Sequence, residues 1–484
     1  MSESYPAFLS VEPFQTANNT IKHRKNEGVS KGMNQLNEFT EGKVVRPLIG
    51  FALPVLLALC LQSLYGAVDL LVVGRFGTSA DVSAVATGSQ MMQMVTAIIT
   101  GLAMGTTILL GQAIGRKHDA DAGNIIGSSI CFFFVLAMGL TAVMLLIAQP
   151  FTAIMHAPTE AFSKTMGYVR ICSAGTVFIV AYNVLGSIFR GLGDSKTPML
   201  TVAAACVFNI AGDLLFVGVF DLKAEGAALA TVLAQCFSVI LCILIVRKRG
   251  LPFSFGKKNI RFHKVIVGKI VKIGLPIALQ DGLVNISFLA INSIVNTLGV
   301  TASAGVGVAE KICAFIMLVP SAFSQSLSAF VAQNVGAGKK DRARKSMLCG
   351  MCASLLTGMV MAYLAFFHGG ILAGIFAKED AVILAAADYL KAYAIDTLIV
   401  SFLFCYIGYF NGCGKTTFVM LQGIIGAFGV RIPVSYFMSR TANVTLFRIG
   451  LATPASTVIQ ILMCSVFFAF LLYQEKHKAA DAGV

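Results

Sequence analysis

Hydrophobic positions along this chain run in long unbroken stretches, and the polar positions between them are short and rich in Gly, Lys and Arg. Twelve such runs fall near residues 46–72, 79–110, 122–147, 162–189, 198–219, 224–246, 273–297, 301–332, 346–370, 382–410, 417–438 and 449–473. A bilayer core of roughly 30 Å needs about 20 apolar residues of helix, which each run supplies. The alternating ~10-residue segments of a membrane barrel are absent. The pattern predicts an all-α polytopic membrane protein with twelve transmembrane helices. Residues 1–44 form a polar tail, which the composition predicts to be disordered on the cytoplasmic face; 476–484 form a second cytoplasmic tail. Between them lie a six-helix half at 45–246, a basic linker at 247–272 and a second six-helix half at 273–475.

The two halves repeat one another. Leu53–Gly77 (LPVLLALCLQSLYGAVDLLVVGRFG) aligns without a gap on Leu275–Gly299 (LPIALQDGLVNISFLAINSIVNTLG), and both open with Leu-Pro and close with Gly. Gln112 in LLGQAIGRK matches Gln333 in FVAQNVGAGKK, and Phe189–Gly193 (FRGLG) matches Phe410–Gly414 (FNGCG). Both halves begin on the same side, so they are parallel repeats about an axis along the membrane normal. Secondary transporters are often built in this way, with the substrate held between the halves. Gly412-Cys413-Gly414-Lys415-Thr416 imitates the end of a phosphate-binding loop, but Tyr409 stands where that motif needs its first Gly and no strand precedes it. Its repeat partner, RGLGDSKT, marks it as a turn between helices.

Charge orients the chain. The net charge of +14 would suggest nucleic acid in a soluble protein, but its distribution excludes that partner. The loops after even-numbered runs, with the C-terminal tail, hold 21 Lys and Arg, against six in the opposite loops. The positive-inside rule then places both termini in the cytoplasm. The residues before the first run lack the apolar core of a secretory signal. Most of the twelve Cys lie inside apolar runs, where a thiol behaves as a small hydrophobe. Cys349 and Cys352 form a lone C-x-x-C without a second pair or a His cluster, so neither zinc nor redox chemistry follows from it.

Candidate chemistry gathers in the first half. Asp69 stands alone as an acid within the first run, fifteen residues after Pro54. A charge at a helix centre in a bilayer costs at least about 2.5–3.5 kcal/mol, so such residues face cavities with a task. Asn209 and Asp213 are four apart in the fifth run and share a helix face; Thr231 lies in the sixth. Two carboxylates, an amide and a hydroxyl suit a hard cation such as Na⁺, and the acid pair equally suits a shared proton. In the second half the matched positions are Ile291, Val430 and Val434, all apolar, so no equivalent site is expected there. That half carries Gln280, Asp281, Glu310, Lys311, Asp396 and Arg431 instead. Gln280, Asp281 and Asp396 are candidates for the substrate cavity, and Glu310, Lys311 and Arg431 for structural ion pairing. Pro54 and Pro276 interrupt the first run of each half and are candidate hinges, because a proline removes a ladder bond.

These residues resemble the multidrug and toxic compound extrusion (MATE) family in its prokaryotic form. The resemblance rests on the two six-helix halves with VDLLVVGRFG, GQAIGRK, FRGLGDSKTP and GAALATVLAQ, and it covers about residues 45–475. It implies that Asp69, Asn209, Asp213 and Thr231 form the coupling site for Na⁺ or H⁺, and that the first helix bends at Pro54. One family branch has a Glu eight residues after the seventh-span proline; Val284 is there instead, so that branch's second-half site is not expected. The implied function is a functionally monomeric antiporter of the cytoplasmic (inner) membrane without cofactors, exporting amphipathic organic cations as Na⁺ or H⁺ enters. The first alternative is a lipid-linked oligosaccharide flippase of the same wider superfamily, disfavoured because the cavity candidates are acids rather than Lys and Arg. An intramembrane enzyme is a further alternative, but no HExxH, Ser–His pair or Asp-rich loop is present. A channel is disfavoured because a two-lobed repeat makes its cavity within one chain.

Overall fold

The computed structural model describes residues 39–155, 158–253, 255–441 and 443–481. The disorder expected for the tail falls, apart from its last few residues, outside that range. Eleven helices are long and apolar enough to span a bilayer, and a bent pair makes the twelfth. In the first half these are Val45–Phe76, Ser79–Gly115, Ala120–Ala153, the pair Thr159–Ala174 and Thr176–Gly191, Lys196–Val219 and Lys223–Arg249. The second half has Lys264–Asn296, Val300–Gly336, Lys340–Phe367, Asp380–Gly412, Thr416–Ser439 and Leu446–His477. They are the first to twelfth spans below.

The fourth span, expected as one helix, turns by 53° at Gly175. A side chain there would meet Val232 of the sixth span at 2.5 Å, so the corner packs directly against that helix. The first span, by contrast, stays helical through Pro54. The seventh starts at Lys264 rather than near 273. Its extra turns carry Lys264, Lys269 and Lys272, whose long side chains can keep their charges at the membrane surface. The second span opens with a cap in which Thr78 N–H and Oγ1 both donate to Asp81 Oδ2 at 2.9 and 2.6 Å. Gly193 and Gly414 adopt φ of +81° and +74° and close identical turns at the ends of the fourth and tenth spans. The N–H of Gly193 reaches Arg190 O and that of Asp194 reaches Phe189 O; Gly414 and Lys415 repeat this on Asn411 and Phe410. The phosphate-loop lookalike is thus a helix C-terminal turn.

Each half has its own apolar core, but the leading helix of each crosses over. Leu48, Phe51, Ala52 and Val55, near the start of the first span, pack with Val319, Phe330, Phe410 and Cys464 of the second half. Val72 and Val73, at its other end, belong to the first-half core. The seventh span mirrors this, with Ile270 and Ala278 in the first-half core and Ile291 and Val295 in the second.

Small residues let the halves meet. A Cβ on Gly105 would lie 2.3 Å from Ile270 O, and one on Gly274 would lie 2.4 Å from Leu102 O, so the second and seventh spans touch backbone to backbone. The contact ends midway. Ile98 and Met94 continue the face of Gly105 and Gly101 and are 47% and 46% exposed. Asp281, on the face of Gly274 and Ala278, is exposed as well. The halves are therefore closed towards the basic loops and splayed at the other side. Gly105→Val should lower stability by about 1–3 kcal/mol, because no neighbouring side chain can yield to it. A thermal melt equal to the parent's would show that the helices separate freely at this point.

Candidate functional site

Three helices of the first half converge on Asp69. Gly212 of the fifth span lies against Ala230 of the sixth, where a Cβ would come within 3.1 Å of the alanine methyl. That approach sets Asn209 and Asp213, one turn apart, beside Thr231. Thr231 Oγ1 donates to Asp69 Oδ2 at 3.2 Å and receives the Asn209 amide at 3.5 Å. Asp213 stands next to Asp69. All three polar groups are enclosed: Asp69 is 5% exposed, Asn209 1% and Asp213 0%. A π-helical turn, Leu214–Val219, follows Asp213 directly. Such turns are frequent at functional sites, and a second one, Ile425–Arg431, marks the matching place in the eleventh span.

The acceptors outnumber the donors. Asp69 Oδ1, Asn209 Oδ1 and both carboxylate oxygens of Asp213 are buried without a hydrogen-bond partner among the described residues. Leaving one such group unsatisfied costs about 1–3 kcal/mol, and more if it is charged. Four inward-facing oxygens with no Lys or Arg among them form a receptor for a proton or a small hard cation. A cavity of ≈ 20 Å³ adjoins Asn209 and Thr231, lined also by Tyr65, Tyr182 and Gln235. That is room for about one water-sized guest and excludes an organic substrate. Replacing Thr231 by Val keeps the shape and removes the hydroxyl between Asp69 and Asn209. The cation concentration giving half-maximal efflux should then rise about ten-fold, the weight of one hydrogen bond to a charged group. An unchanged cation dependence would reduce Thr231 to packing.

Gln235 and Tyr65 did not figure among the sequence candidates. Gln235 lies four residues after Thr231 and Tyr65 four before Asp69, so helical spacing would have put both on the site's side. Gln235 Oε1 is another buried acceptor without a partner among the described residues.

The second-half candidates do not gather at one place. Asp281 is exposed where the cleft opens. Gln280, 7% exposed, packs instead on Gly423 of the eleventh span. Asp396, 2% exposed, accepts a hydrogen bond from Thr457 Oγ1 at 2.6 Å inside the second half. Glu310 accepts from Asn292 Nδ2 at 3.0 Å. Arg431 forms no ion pair among the described residues; it donates to Ser287 Oγ at 3.1 Å and lies over the Phe288 ring at 4.5 Å. The ring face takes up part of the charge that a carboxylate would otherwise neutralise. Ile291, the repeat partner of Asp69, is 1% exposed within an apolar cluster.

Comparison with known proteins agrees with the two-half fold. The profile of the MatE family matches residues 54–215 and 276–437, one copy in each half. The chain is 25% identical over 435 residues to a probable multidrug resistance protein, YoeA, of Bacillus subtilis, covering 88% of this chain and 94% of that protein. It is 25% identical over 424 residues to the multidrug export protein MepA of Staphylococcus aureus, covering 85% and 91%. Among solved structures, an outward-facing multidrug resistance MATE transporter superposes with a TM-score of 0.86 at 19% identity, covering 92% of this chain and 98% of the other. A MATE transporter in a bent conformation gives 0.86 at 19% identity, over 93% and 99%.

Proposed function

Because the chain belongs to the MatE family of multidrug efflux transporters, we propose that it is an antiporter that exports amphipathic organic cations in exchange for Na⁺ or H⁺. The coupling ion binds at Asp69, Asn209, Asp213 and Thr231. The cluster of buried, donorless oxygens on the first, fifth and sixth spans carries this reading. An entering cation or proton satisfies those oxygens, and its departure leaves them facing one another, so occupancy sets the free energy of the first-half bundle. The substrate has a separate place in the cleft between the halves, where Asp281 supplies a negative charge and Met94 and Ile98 an apolar wall. An exposed acid beside apolar surface favours a cation with a hydrophobic body over an anionic lipid-linked sugar. Asp396 and Gln280 act on substrate only indirectly, through the packing of the seventh and tenth spans. Pro54 lies within the part of the first span held by the second half, fifteen residues before Asp69, where a bend would move the part that carries the coupling site. The positive-inside rule puts the basic face and both termini in the cytoplasm, and the protein works as a monomer in the cell membrane.

Ethidium transport into inside-out proteoliposomes, driven separately by Na⁺ and pH gradients, tests the proposal. One gradient should drive uptake, and Asp281→Asn should raise the ethidium KM without altering the number of coupling ions moved per cycle. Uptake indifferent to both gradients would refute antiport.

A further inference from the structure

The repeated glutamines Gln112 and Gln333 take no part in the cation site, yet each crosses from one half to the other. Gln112 Nε2 of the second span donates to Gly412 O at 3.2 Å. Gln333 Nε2 of the eighth span donates to Gly191 O at 2.9 Å. The two bonds are related by the internal repeat, and each ends on the last residue of the opposite half's bent-span or tenth-span helix. The carbonyls of a final helical turn have no partner within their own helix. Each half therefore completes the other's helix terminus.

The backbones beside these bonds are also matched. A Cβ on Gly115 would lie 2.0 Å from Gln333 O, and one on Gly336 would lie 2.2 Å from Gln112 O. The second and eighth spans thus cross with glycine against glutamine at both ends of the contact. Each glutamine amide also lies over the turn glycine of the opposite half, 3.2 Å from a Cβ on Gly193 and 3.8 Å from one on Gly414. All of this sits next to the basic loops, on the side where the halves are closed.

We infer that Gln112 and Gln333 are the paired positioning residues that hold the transporter shut on its basic face and set the balance between its two access states. When the halves part on that side, both bonds break together and water takes over the two carbonyls. The bonds thus favour one state only, and a group that favours one state shifts the population by its differential stabilisation. Neither bond involves the coupling ion, so the balance they set holds whichever cation drives the cycle.

The test measures the distance between the halves in full-length protein in lipid nanodiscs, without substrate. Labels are attached through a bio-orthogonal amino acid at the exposed positions 196 and 415, one in each half. Gln112→Met and Gln333→Met keep the length of the side chain and remove the donor. Each should raise the ratio of separated to closed forms about five-fold, the weight of one neutral hydrogen bond, and both together more than either alone. Gly336→Ala, which wedges the same crossing without touching either amide, should shift the ratio in the same direction. Gln112 is only partly buried, so its variant keeps the test open should the fully buried Gln333 variant fail to fold. An unchanged distance distribution in Gln112→Met would overturn the inference, as would opposite shifts in the two glutamine variants.

Discussion

Asp69→Asn is expected to reduce gradient-driven ethidium efflux to the level of empty liposomes while the protein remains folded. The new amide can donate towards Asp213, whose two oxygens otherwise have no donor among the described residues. The substitution therefore supplies internally what the arriving ion would supply. Stability should hold or rise, because a buried carboxylate next to another is replaced by a neutral group that can satisfy it. Coupling should vanish for the same reason, since the site no longer differs between its loaded and unloaded states. Efflux under an imposed Na⁺ or pH gradient, read beside a thermal melt, checks both halves of the expectation. Normal driven efflux would mean that Asp69 is a structural polar residue, and a collapsed melt would mean that its role is to hold the bundle together. Asp213→Asn should weaken coupling in the same assay.

Placing an acid in the second half at the position matching Asp69 should be harmful rather than productive. Ile291→Asp puts a carboxylate at a position 1% exposed, among Val295, Val306 and Ile312. The repeat partners of Asn209 and Asp213 are Val430 and Val434, so no amide or acid stands at those positions. Destabilisation of up to about 3 kcal/mol is expected from an ionised group buried within a bilayer, and any pairing with Arg431, held on Ser287 one turn away, lowers that cost. Ile291→Asn should cost less, because no charge is buried. Reversible unfolding in mixed micelles gives the difference, and cation-to-ethidium stoichiometry should stay at the parent value in both variants. A rise in stoichiometry with Ile291→Asp would show that the second half retains a working cation pathway.

The contrast between Asp69 and Ile291 is legible in the amino-acid sequence alone, since the repeat aligns the two residues directly. So are the twelve spans, the parallel halves and the turn character of the Gly412–Lys415 segment. Each follows from linear properties: apolar length against bilayer thickness, helical spacing, and turn chemistry at Gly193 and Gly414. Three of the four residues that the structure brings to one place, Asp69, Asn209 and Asp213, also stand out along the chain, because acids and amides inside apolar runs are costly.

Tertiary packing decides the rest. Thr231 and Asp69 are 162 residues apart, and only the approach of Gly212 to Ala230 brings hydroxyl and carboxylate within 3.2 Å. Arg431 rests on Phe288 and Ser287 rather than an acid, which depends on how the seventh and eleventh spans face each other. The placing of Asp281 in the open cleft and Asp396 inside the second half could not be read from composition, as both are acids within apolar helices. The crossover of the first span, apolar at both ends, leaves no trace in its sequence because either half offers it the same kind of surface. Hydrophobic length and local spacing are properties of one segment and are written along it. Which faces meet, and which buried oxygens are left without donors, depends on helices far apart in the chain, and only their packing fixes it.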